Sequence, residues 1–194
     1  MAGIPPLKGA RVTLRALTEN DFDVLHEVHA RGFGDGTAYK SPEMLAKSRK
    51  ALDWILLNEW FPRLRHWNTR LIELNDTKIA IGEVALVPMP MPLEAIISGS
   101  SEPSEQSVEV SMLWGVLPEY RGKGFATEAA SLLIDYAFGL FNLGRIVADT
   151  EFSNKASQVV MRRLGMTLYE NHDSARAREW FEVIGVLSNP AVRS

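Results

Sequence analysis

The stretch from residue 108 to 138 constrains this chain more than any other. Val108, Val110 and Met112 alternate with Glu109 and Ser111, the period-two pattern of a half-buried strand. Alternation then fails across Leu113-Trp114-Gly115-Val116, and a strand that loses its period beside a glycine often carries a bulge. Pro118-Glu119-Tyr120 turns the chain into Arg121-Gly122-Lys123-Gly124, and an Ala/Leu-rich helix is expected over 124–138. A strand that passes through a glycine-containing turn directly into a helix calls for an α/β architecture, in which the sheet is covered by helices.

The other segments fit such an architecture. Val12, Leu14 and Ala16 alternate with Arg11, Thr13 and Arg15 as a strand, and Thr18 is placed to cap a helix over 21–30. Ser41-Pro42-Glu43 opens a second helix reaching about residue 59, with Leu45, Ala51, Leu52, Ile55 and Leu56 as its apolar face. Residues 71–74 and 79–86 read as strands around Asn75-Asp76-Thr77. Residues 88–107, with three prolines followed by serines, glycine and acids, read as a long loop with a short element around Ala95-Ile96-Ile97. A strand at 146–149 follows. Asn154 then caps a helix presenting Ala156, Val159, Val160 and Leu164, and Gly165 stops it. Strands at 166–169 and 180–187 close a β-α-α-β-β-β-α-β-α-β-β order.

Bulk properties set limits. A length of 194 residues suits one domain, 1–194. The net charge of −3, with acids and bases interspersed, argues against nucleic acid or a membrane as partner. The absence of cysteine removes disulfides, thiolate metal ligands and thiol nucleophiles together. No apolar run approaches the ~18 residues of a membrane span, and residues 1–8 lack the apolar core of a signal peptide. A cytoplasmic domain is expected.

Chemistry concentrates at Arg121-Gly122-Lys123-Gly124-Phe125-Ala126. Two glycines let the backbone approach a ligand, and the unpaired N–H groups of a helix start point at it. With the helix dipole, and with Arg121 and Lys123 adding charge, this makes a phosphate site. A basic turn with no ligand accounts for the same six residues. The Walker pattern fails because Gly124 stands where Ser or Thr is needed, and the dinucleotide pattern fails at Thr127.

The hexapeptide matches the Arg/Gln-x-x-Gly-x-Gly/Ala signature of the GNAT acyltransferases. The wider run from Pro118 to Ala129, with Asn154-Lys155-Ala156-Ser157 and Leu164-Gly165-Met166 after it, is similar to the Rim-type branch, which acetylates protein N-termini and small amines. The resemblance implies a single-domain GNAT fold, a mixed and mostly antiparallel sheet whose central strands, 108–116 and 146–150, splay apart. Acetyl-CoA, or another short acyl-CoA, would be the cosubstrate, without a metal. Pantetheine would pair with the backbone of Leu113, Trp114 and Val116. The pyrophosphate would lie against Arg121, Gly122, Lys123, Gly124, Phe125, Ala126 and Thr127, with Asn154 and Ser157 also binding cofactor. Dimerisation is common in this branch, although no sequence feature forces it.

The implied reaction is transfer of an acyl group to a primary amine, of a peptide N-terminus or a small molecule, by direct attack in a ternary complex. A non-catalytic acyl-CoA-binding module and an unrelated nucleotide-phosphate binder are the competing readings. The amine must be neutral to attack, so a base is needed. Glu109 is the first candidate, through water, with a solvated strand face as its alternative; Glu83 is the rival. The N–H of Trp114 would hold the oxyanion. Many family members protonate the leaving thiolate with a tyrosine, but Met161 stands at that position, so the resemblance turns to Ser157. Asn154 and Ser157 are equally explained as a helix cap and a first-turn serine. His26 and His29, three apart, do not make a zinc motif and read as solvated helix residues. Trp54, Trp60, Phe61 and Trp67 read as core, with the wall of an acceptor pocket as the alternative.

Overall fold

Hydrophobic alternation becomes an eight-stranded mixed sheet in the computed structural model, which describes residues 5–34, 36–61, 64–99, 107–172 and 181–192. The strands are β1 (Leu7–Lys8), β2 (Val12–Arg15), β3 (Arg70–Leu74), β4 (Ala80–Met91), β5 (Ser107–Val116), β6 (Arg145–Thr150), β7 (Thr167–Glu170) and β8 (Val183–Ser188). The helices are α1 (Phe22–Glu27), α2 (Pro42–Trp60), α3 (Leu93–Ser98), α4 (Phe125–Leu140) and α5 (Lys155–Arg163). Strand order is β1-β2-β3-β4-β5-β6-β8-β7. Pairing is antiparallel at β1–β2, β2–β3, β3–β4, β6–β8 and β7–β8, and parallel at β5–β6. One register pair, Ser111↔Val147, joins β5 to β6, whereas β6 is paired with β8 along its whole length. This is the splayed central pair that the resemblance implies. β1 and α3 were not expected as such.

Contacts gather into two units, residues 1–86 with 114–136 and residues 87–113 with 137–194. In the first, β2 pairs β3 with Val12 opposite Leu74, and Val12 and Leu14 are fully buried as their alternation requires. Leu17, Leu25, Leu52, Ile55 and Leu71 form a core cluster under α1 and α2. Ser41 caps α2 by accepting from the Met44 N–H at 3.1 Å, with Pro42 as first helical residue. The buried face of α2 is Ser48, Leu52, Ile55 and Asn58; Leu52 and Ile55 of the expected face are buried and Leu56 packs against the cluster, whereas Leu45 is exposed. Trp54, Trp60 and Phe61 are 63%, 82% and 50% exposed and are not core; Trp54 falls between the buried positions, and Trp60 and Phe61 follow the last of them. Trp67 is half-buried.

The segment expected as one helix over 21–30 is three pieces: a 3-10 turn (Glu19–Asp21), α1, and a π turn (Val28–Gly32) closed by Phe33 N–H to the Val28 carbonyl at 3.2 Å. The extra residue per π turn rotates the side chains that follow. His26 is buried, with Nδ1 3.0 Å from Ser48 Oγ and Nε2 2.8 Å from the Tyr39 carbonyl. It is not a solvated helix residue.

In the second unit, β4 continues to Met91, through Pro88 and Pro90, where a loop was expected. β3 accompanies β4 only to the pair Arg70↔Val84. Among the described residues β3 pairs β4 no further than that point, and two prolines of equal parity withhold their N–H groups on the same side. Residues 93–98, expected as a short element, form α3, closed by Gly99 at φ 69°. Met91, Leu93, Ile96, Val147 and Ile184 form the core here. Asn154 caps α5 by accepting from the Ser157 N–H at 3.1 Å. At the other end Gly165, at φ 83°, allows Gly165 N–H to reach Arg162 O and Met166 N–H to reach Met161 O, the paired closure of a left-handed helix cap. The buried face of α5 is Gln158 and Met161, whereas Val159 is 43% exposed. Residues 100–106 of the expected loop, and Trp180 of the expected last strand, lie outside the described residues.

Candidate active site

The turn singled out in the sequence takes the conformation its glycines permit. Pro118–Tyr120 make one 3-10 turn, Gly122 and Gly124 hold φ 74° and 83°, and α4 starts at Phe125. A side chain at Gly122 would meet nothing within 4 Å, and one at Gly124 would meet only Nη2 of Arg11, at 3.3 Å. The space over the turn is therefore open to a ligand. Glu128 donates its N–H to the Gly124 carbonyl at 3.1 Å, which leaves the N–H groups of Phe125, Ala126 and Thr127 without helical partners. The Thr127 hydroxyl is buried and has no partner. A cradle of main-chain donors at the positive end of a helix suits a pyrophosphate.

The two cations of the turn behave differently from expectation. Arg121 donates from Nε to the Val116 carbonyl at 3.0 Å and from Nη2 to the Arg31 and Gly32 carbonyls at 2.6 and 3.0 Å. Its side chain ties the turn to the end of β5 and to the π turn, rather than reaching for a ligand. Lys123 Nζ donates to the Glu119 carbonyl at 3.0 Å and lies 5.6 Å from the Tyr120 ring centroid. Both side chains are thus bonded to main-chain carbonyls, and the main-chain N–H groups are the donors that face the open space over the turn.

Gly115 lies in an uninterrupted β5. A Cβ there would come within 2.6 Å of the Phe33 ring, and a Cβ on Gly82 would come within 2.2 Å of the Gly115 carbonyl oxygen. Close approach is what requires glycine at both positions. Glu83 follows Gly82 on β4 and is 4% exposed. Its Oε1 is 3.4 Å from Nε2 of His29, which the π turn presents, and its Oε2 is buried without a hydrogen-bond partner. Buried carboxylate oxygens are ordinarily satisfied, so this one retains an accepting site for a donor from outside the described residues. His29 is therefore not the solvated helix residue expected.

Glu109 is held in the opposite state. Arg145 donates to both of its oxygens, from Nε at 2.8 Å and Nη2 at 2.7 Å, and Ser107 Oγ adds a third bond at 2.6 Å. Arg145 also pairs with Glu94 at 2.9 Å. The Arg145 bonds hold the Glu109 carboxyl below its ordinary value, outweighing its burial. A carboxylate with both oxygens occupied and a weakened hold on protons is a poor base, which corrects the expectation for Glu109. We expect Glu109→Gln to cost about 1–3 kcal/mol of stability with kcat essentially unchanged. The sign with pH follows from the lowered folded value: the stabilisation is complete above the unfolded carboxyl range and is lost as pH falls through the folded value. Thermal melts of the two proteins should therefore converge in acid; a constant gap would remove the ion pair as its cause.

Asp149 and Ser157 complete the second unit's candidates. Burial pushes the Asp149 carboxyl up to about 6, against a long hydrogen bond of 3.4 Å from Ser111 and one from the Asp149 main chain. Nothing in the sequence near Asp149 signals this, because its environment comes from β5 and β6 coming together. Ser157 is half-buried, Asn154 is exposed, and Met161 is fully buried with its sulfur 3.2 Å from the Cβ position of Gly185. Met161 is a packing residue. Among the described residues no group of three or more His, Asp or Glu is placed to hold a metal ion, and no helix is long and apolar enough to cross a membrane.

The acetyltransferase (GNAT) domain family matches residues 11–167, and the chain belongs to that family. It is 42% identical over 53 residues to the uncharacterized N-acetyltransferase YnaD of Bacillus subtilis, covering 27% of this chain and 31% of that one. It is 38% identical over 53 residues to the spermidine N(1)-acetyltransferase of Escherichia coli K12, covering 27% of this chain and 28% of that one. The match to YjdG of B. subtilis, another uncharacterized N-acetyltransferase, is longer: 27% identity over 129 residues, 65% of this chain and 73% of the other. The fold is that of an acetyltransferase from Agrobacterium tumefaciens, with TM-score 0.68, 24% identity and 97% of both chains covered. It is also that of RimL, a ribosomal-protein acetyltransferase solved in complex with coenzyme A, with TM-score 0.62, 13% identity, and 95% and 98% covered.

Proposed function

We propose that this chain transfers an acyl group, acetyl or another short acyl, from acyl-CoA to the primary amine of a peptide N-terminus or a small molecule, by direct attack in a ternary complex. The observation that carries this reading is the turn at Gly122–Gly124, with open space above it and a helix start whose first N–H groups have no helical partner. Acyl-CoA supplies an activated thioester when bound. Gly122, Lys123, Gly124, Phe125, Ala126 and Thr127 offer main-chain donors to the pyrophosphate, and Arg121 shapes the turn that presents them. The main chain of Leu113, Trp114 and Val116 is assigned to pantetheine by resemblance, and the Trp114 N–H to the oxyanion.

The acceptor nitrogen must lose a proton, because an alkylammonium with pKa ~10.4, or an α-ammonium at ~7.7–8.0, is not a nucleophile. Glu83 is the carboxylate suited to accept it, directly or through a water molecule, since one oxygen is open and, among the described residues, its ion-pair partner is His29. The binding-module reading leaves that buried open oxygen without a purpose. Incubation with acetyl-CoA and an amine panel, including spermidine and N-terminal peptides of ribosomal proteins, tests the proposal through release of free thiol. Thiol release that depends on the amine supports the enzyme; CoA binding without it supports the module.

Asn154 and Ser157 keep the roles that the resemblance assigns, pantetheine binding and protonation of the departing thiolate. The cap hydrogen bond occupies Asn154 Oδ1 and the Ser157 N–H, and leaves the serine hydroxyl for the second role. Ser157→Ala is expected to lower kcat by roughly a hundredfold, the usual worth of a positioned acid, with CoA affinity unchanged by calorimetry. An intact kcat would return Ser157 to being a helix residue.

A further inference from the structure

Arg11, at the entrance to β2, is the cation that the sequence reading did not connect to the turn. Its main-chain N–H donates to Glu128 Oε1 at 2.7 Å, its Nε to Glu128 Oε2 at 2.7 Å, and its Nη1 to the Lys123 carbonyl at 2.8 Å. The guanidinium carbon lies 4.9 Å from the Phe125 ring centroid, and Nη2 lies 3.3 Å from the Cβ position of Gly124. One side chain from 112–117 residues away in sequence thus touches Lys123, Gly124, Phe125 and Glu128. Resting on the acyl-CoA reading above, we propose that Arg11 is a positioning residue for the CoA pyrophosphate: it sets the Lys123–Gly124 peptide and cancels the Glu128 charge in the first turn of α4.

Both effects follow from geometry. The peptide unit is planar and trans, so its C=O and N–H point in opposite directions. Arg11 holds the Lys123 carbonyl, and the N–H of Gly124 is thereby aimed away from Arg11. Gly124 has no side chain to restrict it, and its peptide would otherwise rotate freely; only a fixed donor contributes fully to binding an anion. The second effect concerns charge. Glu128 is ionised, since the Arg11 and Val12 hydrogen bonds outweigh the burial that acts against its charged form. A lone carboxylate four residues from Gly124 would repel a phosphate, and the guanidinium offsets it. Arg121 cannot substitute, because its Nε and Nη2 are bonded to the carbonyls of Val116, Arg31 and Gly32.

Arg11→Gln should raise the KM for acetyl-CoA by about ten- to a hundredfold, as for loss of a hydrogen-bonded charge, with kcat and the acceptor KM unchanged. S-acetyl-pantetheine carries the same thioester and no pyrophosphate, so wild type and Arg11→Gln should use it equally well; this also shows that the variant is folded. Arg11→Lys keeps the charge without the planar fork and should fall between. Wild-type KM for acetyl-CoA in folded Arg11→Gln would overturn the inference and leave the acyltransferase reading standing. Equal losses with both thioesters would also overturn it, showing a general structural role. Failure of the wild type itself to bind CoA would instead sink the acyl-CoA reading.

Discussion

Glu83→Gln is expected to lower kcat at neutral pH by roughly a hundred- to ten-thousandfold, the range for loss of a positioned general base, and the deficit should shrink as pH rises. The reason for the second half is that alkaline solution supplies neutral amine without help, first for α-amines and later for alkylamines. Glutamine preserves volume, and the oxygen it replaces on one side has no hydrogen-bond partner to lose. Circular dichroism should therefore be unchanged, and CoA affinity with it, since the proposed role of Glu83 is toward the amine and not the cofactor. A pH–rate series for the two proteins decides the matter. A small loss that is uniform from pH 6 to about 10 would mean that Glu83 is a buried structural acid, and the base would have to be sought elsewhere.

Gly124→Asp is expected to abolish measurable CoA binding, a loss of at least about a hundredfold, since like charges set against each other cost several kcal/mol. The added carboxylate would stand beside the N–H groups of Gly124, Phe125 and Ala126, which are proposed to hold the pyrophosphate. Stability should suffer far less. The residue holds φ 83°, which costs a non-glycine about 1 kcal/mol. The new side chain would also start 3.3 Å from Arg11 Nη2, close enough to gain an ion pair, and acids suit the start of a helix. Calorimetry with CoA, read beside the melting temperature of each protein, makes the comparison. Wild-type affinity in a folded Gly124→Asp protein would remove the phosphate site and the acyltransferase reading with it. Gly124→Ala separates bulk from charge and should lose less.

Some of the site was legible in the sequence because its causes are local. Gly122 and Gly124 adopt positive φ because the turn between Tyr120 and Phe125 requires it, and the residues at that turn are its own signal. Asn154 caps α5 through a contact three residues away, and Gly165 ends that helix through contacts within the six residues 161–166. The strand at Val108–Met112 declares its period in its own composition. The branch resemblance likewise rests on contiguous motifs.

Other features needed the third dimension. The same alternation that places Glu109 on a strand says nothing of Arg145, 36 residues on, whose guanidinium occupies both carboxylate oxygens. His29 looked inert because the expected α-helix gives no hint of the π turn that carries it to Glu83. Pro88 and Pro90 looked like loop residues because the point where β3 stops pairing with β4 is not written near them. Trp54, Trp60 and Phe61 have core composition, but the orientation of α2 is set by Leu52 and Ile55 against Leu25 and Leu71. By itself, then, the sequence determined the strand–turn–helix, its glycine conformations, the helix caps and the family. Tertiary structure alone decided which charges are free: Arg121 and Glu109 are held by distant partners, Glu83 keeps an open oxygen, and Arg11 is brought to the turn. Backbone turns are governed by steric limits within a few residues, whereas proton affinity and anion binding depend on burial and on charges that only folding brings together.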